Sequence, residues 1–576
     1  MSDKQGQRIS GGEILLEQIL LQGVDTVFGY PGGAIMPVYD RLYDYMDRLR
    51  HVLVRHEQGA IHAAQGYARV KGVPGFVMVT SGPGGTNVIT GVADAMIDST
   101  PVVVVAGQVS SSLLGTDAFQ ETDLIGMTTP ITKWSYQIRR PEDVAWAVAR
   151  AFYIAGSGRP GPVVLDFTKD AQTGYAEFIP QHCDFIRSYV PIPEPSDAEL
   201  KQAAAWISEA KKPFVVYGQG ILQSGAEQEL AAFLDKADIP AGSTLLGLSA
   251  LDSSNPHYMG MLGMHGNLAP NIMTQECDLL IAVGMRFDDR VTGRLDTYAR
   301  NAKIIHIDID PSEIGKNVPV DLGILGDAKA VLARLTEMIE PRTCPEWAME
   351  AILCNAVEKH KVIDPEIHPE GGPLNPGEVI AAVSDACSGN AVILTDVGQN
   401  QMLAARYSRF RQTRSFISSG GLGTMGFGLP AAIGAKIGAP DRTVIAFIGD
   451  GGLQMTVQEL GTIMQEGTGV KIVLLNNNWL GNVRMWQKLF FKERYSFTRM
   501  LNPDFRGIAR AYGITCVNVE TREELAAAIE RMLADDKPFI LNAHVREESM
   551  VFPMIPPGKS VDEIMLNEKD WFEYGD

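Results

Sequence analysis

Short runs of valine, isoleucine and other apolar residues recur along the chain, and segments with helical patterning separate them. Clear examples are "PVVVVAGQV", "PVVLDFTKD", "AKIIHIDID" and "RTVIAFIGD". Strands that are apolar on both faces belong to parallel sheets covered by helices on each side. The runs fall into three blocks, so the sequence predicts an α/β protein with three doubly wound parallel-sheet domains.

Irregular stretches mark the predicted boundaries between the three blocks. The first block covers residues 1–185 and ends before the proline-rich "VPIPEPSDAEL". The second block covers residues 193–342. The third, 373–576, follows a helix and a Pro/Gly-rich connection. Blocks one and three have similar plans, and we expect them to fold alike.

Composition excludes several classes of function. The 576-residue chain has 50 basic and 69 acidic residues, a net charge of −19, which argues against nucleic-acid binding. No apolar run reaches the roughly 18 residues needed to span a bilayer, and the start of the chain does not resemble a signal peptide. The six cysteines contain no CxxC pair. We therefore expect a protein of the reducing cytoplasm that binds neither nucleic acid nor a membrane.

Two predicted strands of the third block each end in a polar residue. One apolar run ends at Gly449 and is followed by Asp450, and the next ends near Asn476 and is followed by Asn477. The segment between them predicts a helix over about 456–465. Parallel strands of one βαβ unit bring their carboxyl ends to the same edge of the sheet. Asp450 and Asn477 are therefore expected to lie close together.

A carboxylate and an amide oxygen at one edge suit a Mg²⁺ ion whose remaining ligands are phosphate oxygens and water. Gly451 and Gly452 leave room for those phosphates at the N-terminus of the next helix, where free N–H groups favour anions. The alternative is structural: Asp450 caps a helix and the asparagines form a turn.

This GDG…NN pattern resembles the diphosphate-binding motif of thiamine-diphosphate enzymes. The resemblance extends from "VFGYPGGA" to "FPMIPPGKSVDEI", and it is to the large catalytic subunits of the acetohydroxyacid (acetolactate) synthase family. It implies a pyrimidine-binding domain, a central FAD-binding domain and a diphosphate-binding domain, in that order. It also implies active sites shared between two chains of a homodimer or dimer of dimers, and a probable small regulatory subunit.

The family reaction implied by the resemblance is decarboxylation of pyruvate, followed by transfer of the two-carbon unit to a second 2-keto acid. With pyruvate the product is 2-acetolactate, and with 2-ketobutyrate it is 2-aceto-2-hydroxybutyrate. This reaction is the entry step to valine, leucine and isoleucine. The implied cofactors are thiamine diphosphate, Mg²⁺ and FAD.

The resemblance assigns the thiamine-diphosphate site residue by residue. Glu57 of "RHEQGA" matches the glutamate that hydrogen-bonds the aminopyrimidine ring, although a carboxylate there could simply cap a helix. Met425 matches an apolar wedge, although a methionine often only fills a core. The catalytic set is Glu57, Gln120 and Gly33, next to Ala34. The cofactor set is Tyr30, Pro83, Asn87, Gln399, Met425, Gly449, Gly451 and Gly452. The metal set is Asp450, Asn477 and the backbone oxygen of Trp479.

Flavin and substrate residues are implied in the same way. "GMRFDDRVTG" contributes Arg290 for a keto-acid carboxylate, where the residues alone leave a solvated charge run equally open. "LGMHGN" contributes His265, which on its own would be read as a structural histidine. The FAD set is Arg159, Gly218, Gly220, Thr244, His265, Gly284, Arg286, Asp308 and Asp327. The substrate set is Phe119, Met264, Arg290 and Trp486.

The chain departs from the family pattern in "NNNWLGNVRMWQ". The family usually has Met at the position of Asn482 and Gln at that of Met485, which bears on substrate affinity rather than on the reaction. Rival functions are a pyruvate oxidase, an FAD-free catabolic acetolactate synthase, and a non-catalytic scaffold subunit. "RFDDR" with Trp486 argues against the first two, and intact Glu57 and Asp450 argue against the third.

Overall fold

The computed structural model describes residues 4–570. They form three six-stranded parallel sheets, and a small antiparallel pair joins the two ends of the first domain. Helices cover both faces of each large sheet, as the sequence predicts. None of the helices in 4–570 is both long and apolar enough to cross a membrane.

The first sheet contains four apolar runs of the predicted type, "VDTVFGYP", "GFVMVTSGP", "PVVVVAGQV" and "PVVLDFTKD", and two further strands. The strands of this domain are β1 Arg8–Ser10, β2 Thr26–Gly29, β3 Arg50–Leu53, β4 Gly75–Val79, β5 Val102–Gln108, β6 Trp134–Ile138, β7 Pro162–Thr168 and β8 Tyr175–Glu177. The order in the sheet is β3-β2-β4-β5-β7-β6, and β1 pairs with β8.

The second and third sheets follow the same plan of buried central strands and short edge strands. The second is built from β9 Pro213–Tyr217, β10 Ala241–Ser243, β11 Tyr258–Met261, β12 Leu279–Val283, β13 Lys303–Asp308 and β14 Leu322–Leu325. The third is built from β15 Val392–Thr395, β16 Phe416–Ile417, β17 Val444–Gly449, β18 Val470–Asn476, β19 Thr515–Val519 and β20 Phe539–His544. Their orders are β11-β10-β9-β12-β13-β14 and β16-β15-β17-β18-β20-β19.

The helices connect these strands in the alternating pattern of βαβ units. Those of the first domain are α1 Gly11–Leu21, α2 Met36–Leu42, α3 Glu57–Lys71, α4 Pro83–Asn87, α5 Ile89–Ile97, α6 Leu124–Thr128, α7 Val144–Gly156 and α8 Lys169–Thr173. The second domain and the following connection hold α9 Asp197–Glu209, α10 Gly220–Ser224, α11 Glu227–Ala237, α12 Leu268–Glu276, α13 Asp289–Thr292, α14 Ala328–Met338, α15 Pro345–Glu358 and α16 Asp364–Ile367. The third holds α17 Pro376–Ala386, α18 Gln399–Tyr407, α19 Gly428–Gly438, α20 Asp450–Met455, α21 Leu460–Glu466, α22 Gly481–Phe490, α23 Phe505–Ala511 and α24 Arg522–Leu533.

The first and third sheets have the same strand order, which confirms the predicted likeness of the two blocks. In each sheet the strands are added first on one side and then on the other. This reversal of strand order lies between β2 and β4 in the first sheet and between β15 and β17 in the third. The second sheet reverses between β9 and β12, in the order typical of dinucleotide-binding folds. In open α/β sheets ligands bind beyond the strand ends at such reversal points. Three ligand sites are therefore expected, one for each sheet.

One predicted helix begins elsewhere. The segment after β17 was expected to become helical near residue 456, but α20 starts at Asp450 and a separate helix, α21, follows. The paired glycines after Asp450 lower the intrinsic helix propensity. Packing overrides that propensity, since Asp450 through Leu453 are buried.

The first and third domains pack through α3 and α19 at glycine contacts. A Cβ added at Gly66 would lie 2.0 Å from the carbonyl oxygen of Ala431, and one at Gly434 would lie 1.8 Å from that of Ala63. Real Cβ atoms do not come that close, so only glycine allows the two helices to approach to this distance. The two domains are therefore fixed against each other along this helix pair.

Candidate active site

Asp450 and Asn477 meet at the carboxyl edge of the third sheet. Strands β17 and β18 pair in parallel up to Gly449 and Leu475, so the residues that follow share one edge. Asp450 Oδ2 accepts a hydrogen bond from the backbone N–H of Asn478 at 2.8 Å. Asn477 Oδ1 accepts one from the N–H of Trp479 at 3.0 Å. The two strand ends therefore form one connected polar turn.

Asn502, which sequence reasoning missed, completes this turn. Its side-chain amide donates to Asp450 Oδ2 at 2.7 Å and to Asn476 Oδ1 at 2.9 Å, and lies 3.2 Å from Asn478 Oδ1. Asn502 is in a loop beyond α22, and nothing in "MLNPDF" marks it as a partner of Asp450. Three side-chain oxygens therefore surround the Asn502 amide nitrogen at the carboxyl edge of the third sheet.

The other residues of the third-sheet edge converge on the same region. A Cβ at Gly481 would lie 2.3 Å from Gln399 Oε1 and 2.8 Å from Asn477 Nδ2, so these two side chains are close together. A Cβ at Gly451 would lie 3.6 Å from the terminal methyl of Met425. Gln399, Asn477 and Met425 therefore surround the start of α20.

Asp396, at the end of β15, is a second residue that the sequence analysis did not single out. Its carboxylate accepts hydrogen bonds from the N–H groups of Gly426 and Gly428, each at about 3.0 Å. A Cβ at Gly452 would lie 2.3 Å from this carboxylate. Asp396 thus fixes the loop that carries Met425 against the start of α20. Its signal in the sequence is the polar residue that ends "AVILTD", as in "VIAFIGD".

These side chains fit a Mg²⁺–diphosphate group. Among the residues predicted to hold the metal, Asp450 supplies the one carboxylate. Within residues 4–570 no group of three or more His, Cys, Asp or Glu side chains could hold a metal ion. Mg²⁺ is commonly held by one or two carboxylates together with phosphate oxygens. Burial raises the pKa of Asp450, which favours a cation that offsets its charge. Nearby, the buried Asn400 Oδ1 has no hydrogen-bond partner among the described residues.

Glu57 lies at the carboxyl edge of the first sheet. It is the first residue of α3, and its Oε2 accepts a hydrogen bond from Asn87 Nδ2 at 2.9 Å. The helix cap is supplied by His56, whose Nδ1 accepts from the N–H of Gln58. Glu57 is therefore not the capping side chain, and its carboxylate is directed toward α4, which begins at Pro83.

The loop with Gln120 closes on the same edge. A Cβ at Gly82 would lie 2.9 Å from Gln120 Cβ, and one at Gly33 would meet nothing within 4 Å. Phe119 is 87% exposed and Tyr30 is 39% exposed.

A cavity of about 880 Å³ adjoins the second sheet and reaches the third domain. It has the size of a cofactor site. Eight residues of the predicted flavin set line it: Arg159, Gly220, Thr244, His265, Gly284, Arg286, Asp308 and Asp327. Gly218 does not line the cavity but packs behind it, since its Cβ would lie 2.4 Å from the carbonyl oxygen of Gly284.

Glycines bring two strand ends together at the β9/β12 reversal, where the cavity lies. A Cβ at Gly220 would lie 2.6 Å from the Cα of Gly284. Nearby, the Arg159 guanidinium contacts Glu313 at 2.6 Å and Asp310 at 3.1 Å. Burial raises the pKa of Asp308 to about 6. One cation and several carboxylates at this edge fit a ligand with both phosphate and hydroxyl groups, as FAD has.

The predicted substrate residues Met264, Arg290 and Trp486 line the same cavity. The N–H of Met264 donates to the carbonyl oxygen of Arg290 at 2.7 Å, which fixes the two residues side by side. The Arg290 side chain is 59% exposed and contacts Asp289 at 3.1 Å. Burial, with the charges of Arg406 and Arg290, lowers the pKa of neighbouring His265 to about 3, so this histidine is neutral.

Among residues 4–570, the first-sheet and third-sheet residues predicted to bind thiamine diphosphate make no polar contact with one another. No hydrogen bond or ion pair in 4–570 links Glu57, Asn87 or Gln120 to Asp450, Asn477 or Gln399. Phe119 also lies outside the cavity that contains the other substrate residues. The first-sheet group and the third-sheet group thus make no polar contact with each other, although the N–H of Arg55, two residues before Glu57, donates to the Glu459 carboxylate of the third domain at 3.2 Å.

Comparison with known proteins agrees with the three sheets. Family models of thiamine pyrophosphate enzymes match the N-terminal binding domain at residues 9–127, the central domain at 200–335 and the C-terminal binding domain at 396–543.

Relatives that match over nearly the whole chain identify a more specific family. The chain is 45% identical to an acetolactate synthase large subunit of Parasynechococcus marenigrum, over 96% of this chain and 90% of the relative. It is 44% identical to the acetolactate synthase isozyme 2 large subunit of Escherichia coli, over 97% and 99% of the two chains. A Corynebacterium glutamicum large subunit is also 44% identical, over 97% and 90%. The chain therefore belongs to the acetolactate synthase large-subunit family of thiamine pyrophosphate enzymes.

Proposed function

We propose that the chain is the catalytic subunit of an acetolactate synthase. It decarboxylates pyruvate and transfers the two-carbon unit to pyruvate or to 2-ketobutyrate, at the entry to branched-chain amino acid synthesis. The observation that carries the proposal is the cavity that brings the flavin-type residues together with Arg290, Met264 and Trp486. A cytoplasmic location and a small regulatory subunit belong to the same proposal, the latter because the relatives are named large subunits.

The third-sheet edge would hold the metal and the diphosphate. Asp450, the amide oxygen of Asn477 and the backbone oxygen of Trp479 are the proposed Mg²⁺ ligands. The Trp479 indole N–H is already bound to Glu547 at 2.9 Å, so only its backbone oxygen is offered to the metal. Gln399, Gly449, Gly451 and Gly452 would contact the diphosphate, where the N–H groups that begin α20 favour an anion.

Glu57 would transfer a proton during the reaction. Thiamine diphosphate, when bound, supplies the electron sink that makes decarboxylation of a 2-keto acid possible. Glu57 would exchange a proton with the aminopyrimidine ring held by Tyr30, Pro83 and Asn87. Asn87 already orients the glutamate by a hydrogen bond at 2.9 Å. Met425 would fix the cofactor's fold by filling the space beside Gly451.

A second copy of the chain would complete each site. Among residues 4–570, Glu57, Asn87 and Gln120 make no polar contact with Asp450, Asn477 or Gln399, and Phe119 is exposed beside Gln120. Pairing of two chains, with the first domain of one against the third domain of the other, would unite them. Gly33, Phe119 and Gln120 would then approach the cavity from the partner.

Different substrate residues would contact different parts of the acceptor keto acid. The planar guanidinium of Arg290 suits the carboxylate shared by all 2-keto acids. Met264 and Trp486 would contact the alkyl group. Pyruvate loses CO₂, one carbon–carbon bond forms to the carbonyl carbon of the acceptor, and its oxygen takes a proton. No electrons are gained or lost overall, so we propose that FAD is bound without being turned over.

The decisive experiment uses the purified full-length chain. Acetolactate should form from pyruvate when thiamine diphosphate, Mg²⁺ and FAD are present, and omission of thiamine diphosphate should abolish it. The absorbance of the flavin should stay that of the oxidised form during turnover. Oxygen consumption linked to flavin bleaching would instead indicate an oxidase, and lack of any pyruvate consumption would indicate a scaffold subunit.

A further inference from the structure

Three hydrogen-bond donors hold the Asp450 carboxylate, and one of them is the side chain of Asn502. Asp450 Oδ2 accepts from the backbone N–H of Asn478 at 2.8 Å and from the Asn502 amide at 2.7 Å. Its Oδ1 accepts from the N–H of Gly451 at 3.1 Å. An ionised carboxylate has about four lone-pair sites, shared equally between its two oxygens. Both sites of Oδ2 are therefore used, and Oδ1 keeps one site free.

The orientation of the Asn502 amide is itself fixed. Its oxygen accepts a hydrogen bond from Gln454 Nε2 at 3.0 Å, and the same Gln454 nitrogen donates to the backbone oxygen of Asp450 at 3.1 Å. Asn502, Gln454 and Asp450 thus form a closed ring of hydrogen bonds. The Asn502 nitrogen faces three side-chain oxygens, and its oxygen faces a donor. This network determines which end of the amide points at Asp450.

The backbone also holds Asn502 beside the proposed metal site. Residues 478–480 pair with residues 498–500 through two antiparallel backbone hydrogen bonds of 2.8 Å. Trp479, whose backbone oxygen is a proposed metal ligand, lies in the middle of this pairing. Asn502 follows shortly after it. The turn that would bind the metal therefore also fixes the backbone from which Asn502 reaches Asp450.

A carboxylate with one free lone-pair site can offer a metal ion only one oxygen. Mg²⁺ demands a nearly ideal octahedron of ligands. Ca²⁺ is larger, takes about six to eight oxygens, and accepts a carboxylate through one oxygen or through both. With Asn502 in place, Asp450 would bind through Oδ1 alone. Without Asn502, Oδ2 would regain a free site, and both oxygens of Asp450 would be available to Ca²⁺.

We propose that Asn502 makes the metal site selective for Mg²⁺ over Ca²⁺, because it leaves Asp450 with a single free oxygen. Asn502 is a positioning residue, since it acts on the ion through Asp450. The inference rests on the proposed function, which assigns a Mg²⁺–diphosphate site to this edge of the third sheet. It adds a cause of metal selectivity that the proposed ligands do not provide by themselves.

Metal titrations of the purified full-length protein test the proposal. A chelator removes bound metal, FAD and thiamine diphosphate are supplied at fixed concentrations, and tryptophan fluorescence reports binding of added Mg²⁺ or Ca²⁺. Asn502→Leu removes the amide donor with little change in volume. Its affinity for Mg²⁺ should fall about 10- to 100-fold, as expected when a residue that orients a metal ligand is lost. Its affinity for Ca²⁺ should change little, because the second oxygen of Asp450 offsets the lost orientation. The ratio of the two affinities should therefore fall at least about 10-fold.

Further variants separate this positioning role from general loosening of the turn. Asn502→Ala should lower the Mg²⁺/Ca²⁺ affinity ratio as Asn502→Leu does, and it decides alone if the leucine variant does not fold. Gln454→Leu removes the donor that fixes the Asn502 oxygen and should lower the ratio by a smaller factor. Asn301→Leu, at an exposed asparagine of the second domain, is the control and should leave the ratio unchanged. An Asn502 side chain with only a structural role predicts equal losses for both ions. That result, or unchanged affinity for both ions, overturns the proposal.

The same titrations report on the proposed function separately. If wild-type protein binds neither ion in the presence of thiamine diphosphate, the proposed metal–diphosphate site fails, and the inference fails with it. If wild-type protein binds Mg²⁺ and forms acetolactate, while both Asn502 variants keep its affinity ratio, only the inference about Asn502 fails.

Discussion

The Arg69 guanidinium lies 2.8 Å from the Asp98 carboxylate, and both side chains are buried. Arg69 also donates to the carbonyl oxygen of Ser418 at 2.6 Å. Asp98 accepts from the N–H groups of Gly420 and Gly421 at 2.8 and 2.7 Å. This ion pair of the first domain thus fixes the loop of the third domain that leads to Met425.

Removing one partner of that pair should destabilise the protein strongly. In Asp98→Ala, Arg69 stays buried without a counter-charge, and we expect the free energy of unfolding to fall by about 3–5 kcal/mol. Urea denaturation followed by circular dichroism measures it. Flavin affinity should also fall, because Gly420 and Gly421 line the cavity. Asp143→Ala, which breaks an exposed pair with Arg140, serves as the control and should change little.

Glu57→Gln should remove most activity and leave the fold intact. The change preserves size but abolishes the exchangeable carboxyl proton, so turnover should fall about 10²- to 10⁴-fold. Thiamine-diphosphate affinity, measured by tryptophan fluorescence, should stay near the wild-type value. Asn87→Ala is the comparison: it keeps the carboxyl group and removes only the hydrogen bond at 2.9 Å. Wild-type turnover in Glu57→Gln would disprove the role of the glutamate.

Asp450→Ala should weaken binding of both Mg²⁺ and thiamine diphosphate. Removing the one carboxylate of the proposed metal site lowers metal affinity, and high Mg²⁺ should restore part of the activity. Calorimetric titrations of the two cofactors provide the measurement. If wild type and variant bind both equally, Asp450 has only the structural role that its contacts with Asn478 and Asn502 already give it.

Asp166 should make stability depend on pH. It is 1% exposed, and burial raises its pKa to about 6 despite hydrogen bonds from Gln137 and Gln108. Because the folded pKa is above the ordinary value, its contribution to stability is complete below about pH 4 and is lost as the pH rises through 6. Asp166→Asn should therefore be more stable than wild type by about 2–3 kcal/mol at pH 7, with no difference at pH 4.

Asp170 provides a control for this pH effect, because its pKa is shifted in the opposite direction from that of Asp166. Burial tends to raise its pKa, but hydrogen bonds from Ser111 and Thr168 hold it below the usual value. Asp170→Asn should lose stability at neutral pH and approach wild type as the pH falls below 4. Thermal unfolding midpoints measured from below pH 4, where the Asp170 effect is lost, up to pH 8 decide both cases. Parallel curves for all three proteins would contradict the assignment to Asp166.

Trp486→Leu should change the ratio of products more than their total. Pyruvate and 2-ketobutyrate differ by one methylene, which an apolar wall distinguishes by about 1–3 kcal/mol. Trp486 packs edge-on against Phe490 at 5.9 Å and so presents a rigid face to the cavity. The variant should lose most preference for 2-ketobutyrate, as competition between the two acids measures. A proportional fall of both products would mean that Trp486 only packs α22.

The sequence predicts the central strands well because their pattern is independent of context. Runs such as residues 102–106 of β5 and 444–448 of β17 are apolar and buried at every position. Edge strands were not predicted because most of them are only partly buried and their pattern of apolar residues depends on the segments that pack beside them. Strand β6 reads "WSYQI" and is only partly buried, so its alternation is weak. The expectation that Asp450 and Asn477 share one edge of the sheet followed from the rule that the carboxyl ends of parallel strands lie at one edge.

Side-chain contacts between distant segments could not be predicted in this way. Asn502 reaches Asp450 from a loop whose course depends on the packing of α22. The burial of Asn482 Oδ1 and Trp486 Nε1 without a partner among residues 4–570 also required coordinates, because burial is a property of the assembled cavity.

The contact between Gly66 and Ala431, and that between Ala63 and Gly434, join segments made at very different times during translation. At about 5–20 residues per second, the ribosome needs roughly 20–70 s to travel from Gly66 to Gly434. Throughout that interval the face of α3 that α19 later covers is open to other molecules in the cell. The glycines that hold the mature domains together thus leave the nascent first domain with an uncovered helix face until about three quarters of the 576 residues have been synthesised.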